Sequence, residues 1–178
     1  MKYLITAFTF LLLTAMSCKK NKDNQHDQLP PATQIGANTF GCLVNGKVYI
    51  PKGYSGTGTP NPKISFDFFN GKKIFSINTN HFENTDPTAF MGISFLDTLL
   101  LPGVYNFPEK LNFNIGWSKI LNNCYTPAND TTIRKWGKGL ITKFDKTKNI
   151  ISGTFECKFK AQNCDTVFIT NGRFDFKF

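Results

Sequence analysis

Between Thr154 and Phe178 the chain alternates apolar and polar residues with a period of two, and this pattern limits the fold more than any other feature of the sequence. Phe155, Cys157 and Phe159 fall on one side of the first run, with Thr154, Glu156, Lys158 and Lys160 on the other. Val167 to Thr170 returns, Asn171-Gly172 punctuates, and Phe174, Phe176 and Phe178 alternate with Arg173, Asp175 and Lys177. A helix would scatter these phenylalanines around its circumference. A strand gathers them on one face and leaves the other in water.

The same grammar starts at Thr39. Phe40, Cys42 and Val44 alternate into Asn45-Gly46, and Lys47 to Ile50 resumes; Ile64, Phe66 and Phe68 alternate into Asn70-Gly71, and Ile74 to Asn78 runs back. Asn-Gly between two such runs signals a hairpin, because both central residues of a type I′ turn need positive φ. Phe90–Phe95, Val104–Phe107, Asn112–Ile120 and Gly139–Phe144 read as further strands, with Trp117 in phase with Phe113 and Ile115. Gly53 to Pro62, Asn78 to Thr88, Leu121 to Thr132 and Asp145 to Asn149 read as connections, and Leu99-Leu100-Leu101 is the one run suited to a helical turn. No stretch of eleven or more residues carries a period of 3.6. The sequence therefore predicts a single all-β domain of nine or ten short strands, an antiparallel β-sandwich or a closed β-barrel. Of 19 phenylalanines, all but Phe8 and Phe10 lie in reach of its core.

The first residues follow another logic. Met1-Lys2-Tyr3 is a short positive start, Leu4 to Ala15 is a largely apolar run, and Ala15-Met16-Ser17-Cys18 closes it with small residues and a cysteine. About 20 helical residues are needed to cross a bilayer, so the run is too short for a lasting span. It reads as a secretory signal over residues 1–17. Its terminal cysteine makes it similar to a lipoprotein signal, in which the Cys18 thiol is acylated and cleavage falls just before it. Residues 18–38 then form a lipidated, polar tether of about 25 Å reach, and residues 39–178 the β domain. Lys19-Lys20-Asn21 lacks an acidic run, which leans the expected location to the periplasmic leaflet of the outer membrane, with surface exposure left open.

The formal net charge of +9 would suit anionic partners,. The lysines are scattered along the polar sides of strands, however, and export argues against nucleic acid. Four cysteines remain after Cys18, an even count that suits two disulfides in an oxidising compartment, with three possible connectivities,. The short separation of Cys157 and Cys164 favours that pair on loop entropy, which leaves Cys42–Cys124. No C-x-x-C pair is present, and His81 is the only histidine of the folded part, so neither a metal site nor a cysteine nucleophile is expected,.

Leu29-Pro30-Pro31-Ala32-Thr33-Gln34 leading into Asn38-Thr39-Phe40-Gly41-Cys42-Leu43-Val44-Asn45-Gly46 resembles the opening of a family of uncharacterised Gram-negative lipoproteins. Ile151-Ser152-Gly153-Thr154-Phe155-Glu156 and Ile169-Thr170-Asn171-Gly172-Arg173-Phe174-Asp175 resemble its end. The likeness covers both ends and not the middle, about Pro51 to Leu111. It implies an exported, anchored β domain and carries no catalytic residues.

No reaction is signalled. Ten carboxylates of the folded part fall in turns, connections or strand faces with nothing to select a pair, no G-x-S-x-G elbow occurs, and Gly53 to Gly58 lacks the ending of a phosphate loop,. The expected function is thus non-enzymatic, without cofactor: binding or scaffolding at the outer membrane. The alternatives are a lipocalin-like carrier of an apolar ligand and a small carboxylate-dependent glycan hydrolase. The expected contact site is the late connection, where Tyr125, Arg134, Lys135 and Trp136 would meet a glycan or a protein partner.

Overall fold

The computed structural model describes residues 28–53, 60–83, 86–116, 133–160 and 165–178. Ten strands and no helix occur among them: β1 (Thr39–Val44), β2 (Lys47–Tyr49), β3 (Lys63–Phe69), β4 (Lys72–Glu83), β5 (Asp86–Asp97), β6 (Gly103–Asn106), β7 (Leu111–Gly116), β8 (Arg134–Asp145), β9 (Ile150–Lys160) and β10 (Val167–Lys177). They form a six-stranded sheet, ordered β2-β1-β10-β9-β8-β6, and a four-stranded sheet, ordered β3-β4-β5-β7. All pairings between named strands are antiparallel. Neither sheet closes on itself among the described strands, so no closed barrel is found.

The Asn-Gly dipeptides show how local chemistry sets this order. Asn45 and Gly46 have φ of 49° and 80°, and Asn70 and Gly71 of 50° and 76°, as a two-residue type I′ hairpin demands,. Each joins adjacent antiparallel strands, β1 to β2 and β3 to β4. Asn171-Gly172 behaves differently. Only Asn171 is left-handed (φ 53°), and β10 runs straight through, with a register shift against β9 between Ile169 and Gly172. The expected turn is a bulge. Glycine is needed there for space, because a Cβ would lie 2.5 Å from the Phe155 ring.

Two other expectations change. Asn78 to Thr88, expected as a connection, carries the end of β4 and the start of β5. Its polar residues pair inside the strands: the Thr79 hydroxyl lies 2.9 Å from that of Tyr49, and the Asn80 amide donates to Asn61 Oδ1 at 2.9 Å. The Leu99–Leu101 run forms no helix; its last residue is tied to the Tyr105 hydroxyl, which accepts from Leu101 N–H at 3.0 Å and donates to Leu101 O at 2.8 Å.

The inward faces of the two sheets meet through aromatic rings. Phe174 of β10 lies 5.7 Å from Phe75 of β4 and 5.5 Å from Phe95 of β5, centroid to centroid. Phe155, Cys157 and Phe159 are buried with them, as are Phe174 and Phe176, whereas Phe178, expected to face the core with these, lies past the end of β10 and is exposed.

Asp175 points to the other side of β10 and yet is only 1 % exposed. A strap formed by residues 28–38, expected as tether, lies over it. The carboxylate accepts from the amides of Ile35, Gly36 and Ala37 at 3.1, 2.9 and 3.2 Å, from the Thr33 hydroxyl, and from Ser152 Oγ at 2.7 Å. Lys143 Nζ donates to Gln34 O at 2.8 Å, and Arg173 to Pro30 O at 3.2 Å. Burial alone would push the Asp175 carboxyl up; the bonds from Thr33, Ser152, Gly36 and Ala37 outweigh it and hold it at about 2.

That gives a sign for acid stability. An unfolded aspartate ionises near pH 3.9. Since the folded value is the lower one, the latch contributes fully above about pH 4 and is lost as pH falls from 4 toward 2. Asp175→Asn should lower stability at pH 7 by about 1–2 kcal/mol, a figure reduced for the nearness of solvent beyond the strap. Urea unfolding across this range should show a shallower acid slope in the variant. An unchanged slope would mean that another group carries the acid sensitivity.

Candidate functional site

β8, β9 and β10 lie side by side in the larger sheet, and their outward residues form rows across it. Trp136 stands opposite Lys158, and Lys158 opposite Phe168, so one row reads aromatic, cation, aromatic. Alternation sets this: Gly137, Cys157 and Ile169 turn inward, which sends their neighbours Trp136, Lys158 and Phe168 out. Trp136 is 45 % exposed and Phe168 50 %. Lys158 Nζ lies 5.0 Å from the Trp136 ring centroid. Such a contact at an exposed site is worth about 0.5–1 kcal/mol, a bias of a few-fold toward this orientation of the indole.

The next row is polar. Lys138 Nζ and Glu156 Oε1 pair at 3.0 Å. Together the two rows line a groove of about 620 Å³, whose far wall is Asn106 and Phe107. A second hollow of about 470 Å³ continues along the same face past Leu140, Val104 and Arg173 to Ala32 of the strap. The lining combines the exposed indole of Trp136 and ring of Phe168 with ammonium, carboxylate and amide groups. An arrangement of this kind stacks on a flat apolar face while hydrogen-bonding its polar rim.

Of the contact residues expected from sequence, Arg134, Lys135 and Trp136 open β8 instead of ending a connection. The strand separates them. Trp136 faces outward, with Arg134 two residues away on the same side, whereas Lys135 turns to the other face and reaches Phe113 O at 3.5 Å. Tyr125 lies outside the described residues, as do Cys18, Cys124 and Cys164. Lys158 and Phe168 were not expected in the site. Phe168 had a signal, as an apolar residue out of phase with Val167 and Ile169; Lys158 had none until the register with Trp136 was known.

Several of the other carboxylates have structural partners. Asp97 is paired with Lys110 at 2.8 Å, and Asp145 accepts the turn amides of Thr147 and Lys148 at 3.0 and 2.9 Å. Ser65 donates to Asp67 at 2.9 Å. Among the described residues no three of His, Cys, Asp and Glu group to hold a metal. Cys42 and Cys157 are free, buried thiols. Burial pushes the Cys42 thiol up to about 12 and raises Cys157 as well, so neither supplies a thiolate near neutral pH,.

Fold and face together define a class: an all-β domain of two antiparallel sheets, with an aromatic and basic outer face on the larger one. Comparison with family models, curated proteins and solved structures finds no match to this chain.

The thiols give a direct test of the site's surroundings. Cys42 and Cys157 should resist iodoacetamide in the native chain and be labelled in denaturant without any reductant, as read by peptide mass. Failure to label even in denaturant would place them in the disulfides with Cys124 and Cys164 that the cysteine spacing favours.

Proposed function

We propose that this protein is an exported, lipid-anchored, non-enzymatic β-sandwich that binds an acidic glycan on the outer face of its six-stranded sheet. The single observation that carries the reading is the row of Trp136, Lys158 and Phe168. A pyranose ring offers an apolar C–H face that stacks on an indole, and a carboxylate or sulfate on it would meet Lys158, Lys138 or Arg134. The groove is open and its polar rim is formed by strand residues, so a chain can lie along it without a terminus having to enter. Against a lipocalin-like carrier stands the packing between the sheets, where Phe75, Phe95 and Phe174 touch one another and occupy the space a ligand would need. Against a carboxylate hydrolase stands the engagement of Asp97, Asp145, Glu156 and Asp175 by their own partners. The anchoring part of the reading rests on the apolar run that ends at Cys18, and the resemblance to Gram-negative lipoproteins agrees with it.

Two measurements separate the parts. Expressed with its signal in a Gram-negative host, the protein should partition into detergent and carry a diacylglyceryl mass on Cys18, and Cys18→Ser should abolish both. Wild-type protein released without that mass would end the anchoring claim. For the face, calorimetric titration with heparin and polygalacturonate should show binding that neutral dextran lacks. Trp136→Ala should weaken it by about tenfold or more, a loss of about 1.4 kcal/mol or greater, while the melting temperature stays within a few degrees. Unchanged affinity for both acidic polymers would remove the face from the function.

A further inference from the structure

One end of the molecule carries apolar side chains that the fold leaves outside. Phe68 is 70 % exposed and Phe69 65 %, both at the tip of the β3–β4 hairpin. Phe66 behind them is packed at 4.7 Å from Phe178 and 6.2 Å from Phe144; the exposed Leu99 and Leu101 share a cleft of about 310 Å³ with Phe66 and Phe68, while Phe69, next along β3, turns to the opposite face of the hairpin,. A Cβ on Gly71 would meet nothing within 4 Å, so that side of the turn faces open space. Isolated exposed apolar residues are ordinary; a contiguous group on a protruding tip is not.

Charge says what covers it. Lys72 and Lys73 follow the two phenylalanines directly, and Lys146 stands over Phe144 at 5.8 Å from the ring. The acidic groups at this end are engaged, Asp97 by Lys110, Asp145 by the amides of its own turn and Asp67 by Ser65. Only the Asp97–Lys110 pair cancels its charge; Asp67 and Asp145 stay anionic, and Lys72, Lys73 and Lys146 outnumber them, so the rim is net positive around an aromatic and aliphatic centre. Lysine stems can lie along apolar surface while their ammonium groups stay in a polar layer. An apolar tip under such a rim matches the boundary of an anionic bilayer, where the acyl region lies just below phosphate groups.

We infer that the Phe68–Lys73 hairpin tip docks on an anionic lipid surface, with Phe68 and Phe69 entering the headgroup layer and Lys72, Lys73 and Lys146 meeting lipid phosphates. This contact is separate from the anchor at Cys18 and needs no acyl chain. It is also separate from the Trp136 face, which lies at the other end of β8.

The test uses the non-acylated chain from Lys19 to Phe178, which contains every described strand, and vesicles of phosphatidylethanolamine with about one-third phosphatidylglycerol. The wild-type chain should sediment with these vesicles at low salt and much less with phosphatidylcholine vesicles. Phe68→Ser with Phe69→Ser should reduce partition by about tenfold without shifting the melting temperature, since neither ring is buried. Lys72→Gln with Lys73→Gln should remove the preference for anionic lipid and most of the salt dependence. Lys47→Gln, an exposed lysine in the β1–β2 hairpin, should leave vesicle partition unchanged. Equal partition of the double phenylalanine variant and wild type would overturn the inference, as would absence of sedimentation. So would a concentration-dependent dimer in solution that the double variant abolishes while vesicle binding is absent, since the tip would then cover a second copy. Because no acylation is involved, failure here leaves the Cys18 result standing, and failure there leaves this one.

Discussion

The contact of Phe174 with Phe75 and Phe95 is the junction on which the two sheets depend. Phe174 comes from the centre of the larger sheet and the other two rings from the inner strands of the smaller. Burying a phenylalanine contributes about 1.5–3 kcal/mol, and removing one from such a core costs about 3–5 kcal/mol because the space does not collapse fully. The next residue, Asp175, faces the opposite way and takes five hydrogen bonds, four of them from the strap. One dipeptide thus fixes the smaller sheet on one side and the strap on the other. Any shift of β10 by one residue would send Asp175 into the aromatic core and Phe174 under the strap, so the register is strongly determined.

Much of this was legible. The period of two from Thr154 to Phe176 showed which phenylalanines face the core, but not the burial of Asp175 under the strap or the exposure of Phe178 beyond the last strand. Asn45-Gly46 and Asn70-Gly71 announced their hairpins, because only such residues tolerate two consecutive positive φ values. Asn171-Gly172 has the same letters and a different role, decided by a partner 17 residues back: the Phe155 ring occupies the space that a side chain at position 172 would need. Dipeptide chemistry shows what a segment permits, and tertiary contact selects among the permitted forms. The strand content of Asn78 to His81 was hidden for a related reason. Polar residues suit a strand once Tyr49 and Asn61 supply partners, and those partners come from distant positions.

The proposed binding face was legible only in part. Trp136 was visible as a large aromatic with weak phase, and the connection before it drew attention as irregular. What the sequence lacks is the pairing that puts Lys158 beside the indole and Phe168 beyond it. Cross-strand neighbours are the unit of sheet chemistry, and they depend on register, which a bulge alters by one residue at a stroke. β8 has such a shift between Ile141 and Lys143, and β10 between Ile169 and Gly172. Rows of side chains on either side of these points cannot be counted off from the sequence.

The proposed surfaces lie at opposite ends of one strand. Trp136 and Phe144 are eight residues apart on β8, which at about 3.3 Å per residue is roughly 25 Å. Phe144 lies beside Phe66 at the apolar end, so a bilayer met by Phe68 and Phe69 would leave the Trp136 row raised by about that distance. An acyl anchor alone could not achieve this. Nine residues separate Cys18 from Gln28, where the described strap begins, and nine residues reach up to about 30 Å, which is longer than the height difference between the two ends. A link of that reach to the acyl anchor proposed at Cys18 would let either end of the domain turn to the membrane. The strap reduces that freedom by holding residues 33–38 near Lys143 and Lys177, at the apolar end of the larger sheet, but Gln28 itself remains free of any fixed relation to the bilayer. A second contact at the hairpin tip removes the remaining rotation. Its contribution to holding the protein on the membrane would be small beside that of acyl chains, and its effect would be on orientation, which decides whether the aromatic face meets the lipid headgroups or the polymer beyond them.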